Sequence, residues 1–444
     1  MRAAAISLAV LLAVPATAAA NGRFPRSTSV HARPGDVDDI YLGLTFGLVI
    51  SHDDGQHWDW LCEESIGYGG DYDPKYEIDP DGTIYAGTFD GLRVSRDGGC
   101  TFQTATDDQP DGPDKIAGLW VDALALDADG TVWVGTAESG LSNAVYKSTD
   151  QARTFTKMGL ESMTLWWKSV RVAPSNTQRV YVSGYQVAPT TEIALRRSDD
   201  AGVGWADLPL TDIAVGKSPL VLFEAVDPAD PDVVFARSVQ VNQPAGDRLY
   251  RSSDGGQSWT AVLDTSDAIR GVVIRADGEV LVGVAKDPDF ADAGAVFRSS
   301  DGGLTFAEMP GPQLGCLAER ADGTVLGCGA NWDPDYAALL RSTDGLDYSK
   351  VFRFHEMAGP LACPSGTIQH DTCELQRWPA IREQFGVTGP VDAGAGPDAA
   401  GDGADGGGGG CCDGGGGGAG AILLAFGAAA ALWWKRPRKR ACCD

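Results

Sequence analysis

The sequence predicts an all-β fold, a seven-bladed β-propeller of four-stranded antiparallel blades. One eight-residue pattern, S-x-D-x-G-x-x-[WF], starts at positions 51, 95, 148, 198, 252 and 299, with Ala152 in place of the Gly in the third copy, and a degraded copy starts at position 342. Between successive copies, short apolar segments alternate with turns, which is typical of an antiparallel meander. Four strands in a period of about 40–50 residues correspond to one blade. The seven copies therefore predict seven blades.

Each copy of the pattern predicts a tight turn. The Ser and Asp side chains hydrogen bond to nearby backbone groups, the Gly supplies a positive φ, and the aromatic ring packs under the next hairpin. The pattern resembles the Asp-box, or BNR repeat, of sialidases and related β-propellers, and the resemblance implies a structural role. The residues concerned are Ser51, Asp53, Gly55, Trp58, Ser95, Asp97, Gly99, Phe102, Ser148, Asp150, Phe155, Ser198, Asp200, Gly202, Trp205, Ser252, Asp254, Gly256, Trp259, Ser299, Asp301, Gly303, Phe306, Ser342 and Asp344.

The repeats place the propeller at residues 21–357. Its strand segments recur in each period, for example at 83–87 (TIYAG), 131–135 (TVWVG) and 279–283 (EVLVG). Blade one has its own first strand near residues 28–32, so no strand needs to be borrowed from the far end. We therefore expect the ring to close by plain edge contact, followed by a disulfide-containing segment at 358–386.

Six cysteines lie in or next to the propeller, which fits an oxidising compartment. Cys316 and Cys328 flank a turn almost symmetrically, so a cross-strand disulfide is predicted. Cys363 and Cys373 would close a small loop. Cys62 and Cys100 would then join blades one and two. The connectivity stays open at this stage, because spacing alone does not determine pairing, and free buried thiols are the alternative.

The N-terminus has the features of a secretory signal peptide. Arg2 precedes an apolar stretch at 3–14, and small residues at 16–20 provide a cleavage site. We predict that residues 1–20 are removed and that the protein is secreted.

The C-terminus has three parts. Residues 387–418 form a Gly/Asp/Pro-rich linker with Cys411 and Cys412, residues 419–434 are uncharged, and residues 435–444 are basic. The middle part predicts a short transmembrane helix and the last part a cytoplasmic tail; a buried core helix is the alternative for 419–434. The end resembles the Cys-containing C-terminal sorting signals of Gram-negative surface proteins, typical of myxobacteria. That resemblance implies cleavage by a membrane protease and anchoring at the cell surface.

The composition is strongly acidic, with 35 Lys+Arg against 61 Asp+Glu and a net charge of −26. Without the basic residues of the two ends and the two tail aspartates, 29 basic residues face 59 acidic ones, a net charge of −30. Nucleic-acid binding requires basic surfaces, so it is excluded as a function class. Docking of the folded body on anionic lipid is disfavoured for the same reason.

In a four-stranded meander, the repeated turns lie on one face of the disc, and the second loops and blade-to-blade links lie on the other. Long loops on a rigid scaffold often carry function, and aromatic rings beside carboxylates suit sugars. The alternative is an acidic solvated rim with aromatics packed under loops. The candidate ligand-binding residues are Glu63, Glu64, Asp71, Asp73, Trp166, Trp167, Tyr185, Trp332, Asp333, Asp335 and Tyr336.

These observations favour a cell-surface binding or adhesion module for extracellular polysaccharide or envelope protein. The alternative is a glycoside hydrolase of the Asp-box propeller type that uses two carboxylates; no catalytic residue can be assigned. Sialidase activity is disfavoured because arginine is sparse on the predicted functional loops. No cofactor is expected, apart from a structural Ca²⁺ for which Asp287, Asp289 and Asp292 are the candidate ligands.

Overall fold

The computed structural model describes residues 23–388, except 71, 187–189, 217, 242–245 and 286–294. These residues form a seven-bladed β-propeller in which each blade is a sheet of four consecutive antiparallel strands. The innermost strands of successive blades contact one another, and the first also contacts the last, which closes the ring. The predicted fold class is confirmed.

The strands follow the predicted order from the innermost to the outermost position of each blade. Blade 1 contains β1 (Ser27–Ala32), β2 (Ile40–Leu44), β3 (Gly47–Ser51) and β4 (Asp59–Leu61). Blades 2 and 3 contain β5 (Lys75–Ile78), β6 (Ile84–Thr88), β7 (Gly91–Ser95), β8 (Gln103–Thr104), β9 (Val121–Leu126), β10 (Val132–Thr136), β11 (Val145–Ser148) and β12 (Thr156–Lys157).

The remaining blades repeat this arrangement. Blades 4 and 5 contain β13 (Trp166–Ala173), β14 (Asn176–Gln186), β15 (Glu192–Ser198), β16 (Ala206–Asp207), β17 (Val221–Val226), β18 (Val234–Ser238), β19 (Arg248–Ser252) and β20 (Thr260–Asp264). Blades 6 and 7 contain β21 (Ala268–Ile274), β22 (Val280–Ala285), β23 (Ala295–Ser299), β24 (Ala307–Pro310), β25 (Leu317–Glu319), β26 (Val325–Cys328), β27 (Leu339–Ser342) and β28 (Ser349–Phe352).

The second strand is almost entirely buried in every blade except blade 4, where the first part of β14 is partly exposed. In β2, β6 and β10 every residue is buried, although neighbouring side chains point to opposite faces of the sheet. Both faces are covered because each sheet is packed between two neighbouring blades. Among the described residues, every blade-to-blade junction holds a hydrophobic cluster, and a second small cluster, Ala285 with Ala330, joins blades 6 and 7.

The seven repeated turns share one hydrogen-bond arrangement. The Ser hydroxyl donates to the Asp carboxylate at 2.6–2.9 Å in every copy. In the first six copies the Ser hydroxyl also accepts the amide of the Gly or Ala at 2.8–2.9 Å. The Asp carboxylate accepts further backbone amides. In the seventh copy, the amide of Asp347 is the main reason why the pKa of Asp344 falls to about 2.

The glycine of the repeated turn also touches the preceding blade. A Cβ added to Gly303 in blade 6 would lie 2.3 Å from Cζ of Phe235 in blade 5. A Cβ on Gly256 would meet Leu208, and one on Gly345 would meet Leu281, again in the preceding blade. The turn therefore serves the blade junction as well as its own hairpin.

Ring closure differs from the prediction of plain edge contact. A short strand, β29 (Gly359–Pro360), returns from the C-terminus and pairs in parallel with β4 on the outer edge of blade 1. All four meander strands of blade 1 still come from the N-terminal side. The C-terminal residues thus add a fifth strand to the first blade instead of replacing one of its four.

Helices accompany this closure. Helix α1 (Glu63–Ile66) follows β4, and a 3-10 turn (Phe354–Glu356) precedes β29. A π-helix (Gln369–Arg377) runs directly into helix α2 (Trp378–Phe385). Phe385 packs on Phe46 of blade 1, with ring centroids 4.8 Å apart.

The disulfides confirm one predicted pair and correct the other two. Cys316–Cys328 crosses the blade 7 hairpin as expected. The pairings Cys62–Cys100 and Cys363–Cys373 are wrong, because Cys62 bonds to Cys373 and Cys100 bonds to Cys363. Both cysteines of the C-terminal segment are therefore bonded back to blades 1 and 2, over separations of 311 and 263 residues.

In the part of the chain that the structure describes, no helix has the length and apolarity needed to cross a membrane. The predicted signal peptide at 1–20, the predicted membrane helix at 419–434 and the basic tail at 435–444 lie outside the described residues, as does nearly all of the linker at 387–418.

The junction role of the turn glycine predicts a difference between two adjacent substitutions. Gly302 and Gly303 both have positive φ, +73° and +81°, but nothing lies within 4 Å of a Cβ on Gly302. Both alanine variants should lose about 1–2 kcal/mol from left-handed backbone strain. Gly303→Ala should lose a further ~1–3 kcal/mol from overpacking against Phe235. Denaturant unfolding measures both values, and equal losses in the two variants would contradict the junction role.

Candidate functional site

The meander places the repeated turns on one face of the propeller and the second loops, the blade-to-blade links and residues 23–26 on the other. We call the latter the loop face. Two features meet on the loop-face side of blades 2 to 4. One is a set of aromatic side chains, and the other is a cavity between the innermost strands.

Five aromatic rings form a continuous aromatic row across blades 2, 3 and 4. The rings are Phe89, Tyr72, Trp120, Trp166 and Tyr185, and neighbouring centroids lie 4.4–5.9 Å apart. Phe89 is 43% exposed, whereas Tyr72 is buried, and the other three rings are partly exposed. The row therefore presents ring surface to solvent.

Backbone and side-chain contacts hold the row in place. Trp166 and Tyr185 are directly opposite each other on the antiparallel strands β13 and β14, so the sheet register sets their contact. The Tyr72 hydroxyl donates to the Val121 carbonyl at 3.1 Å. The Trp120 amide donates to the Glu138 carboxylate at 3.2 Å. The rings are fixed before any ligand arrives, which reduces the entropy lost on binding.

A buried ion pair lies next to the row. Asp122 is fully buried, and its Oδ2 is 2.5 Å from Nζ of Lys168, which lies over the Trp120 ring at 5.7 Å. Burial raises the pKa of Asp122, and the charges of Lys168 and Lys75 act against that rise. This pair connects the row to the interior of the ring.

A cavity of about 310 Å³ lies between the innermost strands, and we call it the axial cavity. Basic side chains line it from four blades. Two acidic side chains and one histidine also line it. Burial lowers the pKa of His31 to about 4, so this ring is neutral at pH 7. Burial raises the pKa of Glu77 to about 7, although Arg171 acts in the opposite direction. The charged lining residues are Arg26, Lys75, Arg171, Arg270, Asp73 and Glu77.

The structure brings three of the predicted ligand-binding residues to these two features. Trp166 and Tyr185 belong to the aromatic row, and Asp73 lines the axial cavity. Asp73 also forms an ion pair with Arg23.

Other predicted residues have structural surroundings. Trp167 is only 1% exposed and donates its indole N–H to the Leu160 carbonyl, so the ring belongs to the core between blades 3 and 4. Glu63 and Glu64 lie on α1, where Glu64 pairs with Arg377 of the C-terminal segment at 2.5 Å.

The predicted group on the second loop of blade 7 is separate from the aromatic row. Trp332 contacts the rings of Phe354 and Phe385, with both centroid distances 6.4 Å. Tyr336 donates to Asp333 at 3.2 Å, and Asp335 accepts the Ala330 amide at 2.9 Å. These contacts stabilise the loop itself.

The predicted residues Asp71, Asp287, Asp289 and Asp292 lie outside the described residues, so the calcium site stays a prediction. Among the described residues there is no group of three or more His, Cys, Asp or Glu side chains that could hold a metal ion.

Sequence reasoning missed Trp120 and Phe89, and it missed the basic lining of the cavity. Phe89 lies in the second loop of blade 2, and Trp120 lies at the end of a blade-to-blade link. A complete search of these loops and links for aromatic residues could therefore have found both. Arg171 lies within a strand and could not be found by searching loops. Arginine is sparse on the loops, as expected, yet it reaches the axial cavity from strands.

No protein-family model matches the sequence, and no curated protein matches it. Solved structures share the fold. A GH74 enzyme of Niastella koreensis is 15% identical with a TM-score of 0.41, over 76% of this chain and 66% of that chain. YCF48 bound to a D1 peptide is 15% identical with a TM-score of 0.44, over 69% of this chain and 90% of that chain. A puromycin-hydrolyzing peptidase of Mycobacterium tuberculosis is 16% identical with a TM-score of 0.49, over 76% and 54%.

These likenesses concern the propeller fold alone. The chain spans just under two thirds of the length of the Niastella enzyme and about half that of the peptidase.

The raised pKa of Glu77 predicts a pH-dependent effect of Glu77→Gln. The folded-state pKa of about 7 lies above the unfolded value, so ionisation of Glu77 removes stability as the pH rises from about 4.5 to 7. Glutamine imitates the protonated form. The variant should match the wild type at pH 4 and be more stable by about 1–2 kcal/mol at pH 8. Urea unfolding at both pH values measures this, and a variant of unchanged or lower stability at pH 8 would be inconsistent with a disfavoured carboxylate.

Proposed function

We propose that this protein is a cell-surface binding module whose aromatic row docks an extracellular polysaccharide. The observation that carries the proposal is the row itself, five pre-positioned rings with exposed surface across three blades. Sugar rings stack on aromatic faces, and a row of such faces suits a chain of sugars better than a single one. A rigid propeller supplies the scaffold, and no catalytic step is needed.

The row predicts which aromatic substitution weakens binding. Trp166→Ala should reduce affinity for the bound polysaccharide roughly tenfold, because an exposed stacking surface worth about 1–1.5 kcal/mol is lost. Tyr336→Ala is the matched control, since Tyr336 is 49% exposed but lies on blade 7. A glycan array followed by titration calorimetry measures both variants. If only Tyr336→Ala weakens binding, the site lies on the blade 7 loop and the proposal is wrong. The proposal is also wrong if the protein binds an envelope protein but none of the glycans.

We also infer that the repeated turns are Asp-boxes and that the protein is anchored at the cell surface. The Ser–Asp hydrogen bond that all seven turns share supports the first inference. Three disulfides support secretion, because such bonds persist in oxidising compartments. Residues 419–434 would form the membrane anchor, with residues 435–444 in the cytoplasm and Cys411 or Cys412 recognised by a processing protease.

The anchoring inference predicts the behaviour of a double substitution. Replacing Cys411 and Cys412 with Ser should prevent processing, so the protein should appear in the medium or stay in the inner membrane. Immunoblots of cell-surface, membrane and medium fractions measure the distribution, with the single substitutions as controls that show which cysteine is processed. Unchanged surface display of the double variant would refute the sorting signal.

A glycoside hydrolase is the second candidate function. The observation in its favour is Asp122, a carboxyl group beside the aromatic row whose pKa is raised by burial, as general acids require. Its complete burial and its ion pair with Lys168 favour a structural role instead. Turnover of chromogenic glycosides that Asp122→Asn abolishes, while glycan affinity persists, would establish the hydrolase.

A further inference from the structure

The axial cavity contains more positive than negative charge, in contrast to the acidic protein around it. Arg26, Lys75, Arg171 and Arg270 line it, against the carboxylates of Asp73 and Glu77. The chain as a whole has a net charge of −26. Positive charges that are partly removed from water cost free energy unless a negative charge lies beside them.

Neither carboxylate of the cavity forms an ion pair with Lys75 or Arg171. Asp73 is paired with Arg23, and Nη2 of Arg26 lies 4.0 Å from its second oxygen. Burial raises the pKa of Glu77 to about 7, so its ionised form is disfavoured in the cavity. The Asp73 carboxylate is therefore already paired with arginines, and the ionised form of Glu77 is disfavoured.

Within the described part of the chain, neither Lys75 nor Arg171 forms a direct ion pair with a carboxylate, although the charges of Asp122 and Asp73 act on Lys75. The Arg171 guanidinium donates to the carbonyls of Glu224 and Val170, both at 2.9 Å, and its charge acts on Glu77 without a hydrogen bond to that carboxylate. The Lys75 ammonium forms no hydrogen bond with any described residue, and its side chain keeps solvent-accessible surface. Elsewhere the protein pairs such groups, as Arg237 shows with Glu224 and Asp247.

Lys75 also lies close in sequence and in space to the aromatic row. It follows Tyr72 of the row by three residues, and Asp73 and Pro74 between them line the cavity. Asp122 interacts electrostatically with both Lys75 and Lys168, and Lys168 lies over Trp120 of the row. A ligand on the row is therefore next to the basic end of the cavity.

We propose that the axial cavity binds the carboxylate of an acidic sugar residue, with Lys75 and Arg171 as its counter-charges, while neighbouring sugars of the same chain lie on the aromatic row. This rests on the proposed function, because the polysaccharide brings the carboxylate to the cavity. The ligand class is thus a uronic-acid-containing polysaccharide. Charge-assisted hydrogen bonds to the carboxylate would supply the selectivity.

The first experiment compares the binding of polygalacturonate and of its carboxyl-reduced, neutral form to the full-length protein. The wild type should bind the acidic form roughly tenfold more tightly. Lys75→Met should abolish this preference and leave affinity for the neutral form unchanged, whereas Lys75→Arg should retain the preference. Lys350→Met is the matched control, because Lys350 is an exposed lysine on β28 of blade 7. An unchanged preference in Lys75→Met, or no preference in the wild type, would overturn the proposal.

The second experiment tests the anion site in the axial cavity independently of the proposed sugar site on the aromatic row. Free galacturonate and inorganic phosphate are tested for thermal stabilisation of the wild type, Trp166→Ala and Lys75→Met. Galacturonate should raise the Tm of the first two proteins but not of Lys75→Met. If Trp166→Ala binds polygalacturonate normally and keeps the preference, the proposed row is wrong and the cavity stands. Stabilisation by phosphate alone would overturn the sugar as the source of the anion, and stabilisation by neither would overturn the anion site.

Without ligand, Lys75→Met should melt at the same temperature as the wild type or higher. Desolvation of the Lys75 ammonium lowers its pKa, so removing this charge should not cost stability. If Lys75→Met loses the preference for the acidic polysaccharide while its stability is unchanged or increased, Lys75 serves binding and not folding. A large decrease in Tm would instead assign Lys75 a structural role and overturn its part in the site.

Discussion

Every blade of this protein depends on burial of both faces of its sheet by the two neighbouring blades. The fully buried strands β2, β6 and β10 would expose apolar side chains on one face if a neighbour were missing. An open array would leave two such faces at its ends, so the ring must close. The junction between blades 7 and 1 is where the closure is made, and it is also where the C-terminal segment packs. Strand β29, two disulfides and helix α2 all belong to this segment.

The same constraint explains part of the acidic composition. Each repeated turn needs a carboxylate that accepts several backbone amides, and the turn places a glycine against the preceding blade. The pKa of Asp344 at about 2 shows how strongly such a turn favours the ionised form. Because that pKa lies below the unfolded value, this stabilisation is present above about pH 4 and is lost as the pH falls toward 2. These aspartates are structural, and they are not a sign of a cation-binding surface.

The fold was predictable because its determinants are local and repeated, whereas the closure and the site depend on distant residues. The turn residues and the Cys316–Cys328 hairpin lie within single blades, so spacing alone indicated them. The pairings of Cys62 and Cys100 join residues more than 260 positions apart, and no local pattern contains that information. A search of second loops and links found Trp166 and Tyr185, but Lys75, Arg171 and Arg270 lie on strands. Only the closed ring shows that Lys75 and Arg171, from blades 2 and 4, line the same space.

An anionic ligand on an acidic protein requires a balance between long-range repulsion and short-range attraction. At physiological ionic strength the Debye length is about 8 Å, so surface carboxylates beyond that distance contribute little to the field at the cavity. Inside the cavity screening is weaker, and the charges of Lys75 and Arg171 act at contact distance. The surrounding carboxylates would then slow the approach of acidic chains in general, while a chain that fits the aromatic row gains stacking before its carboxylate reaches the basic groups. Selectivity in this arrangement comes from requiring both contacts, which a free anion or a neutral polysaccharide cannot provide.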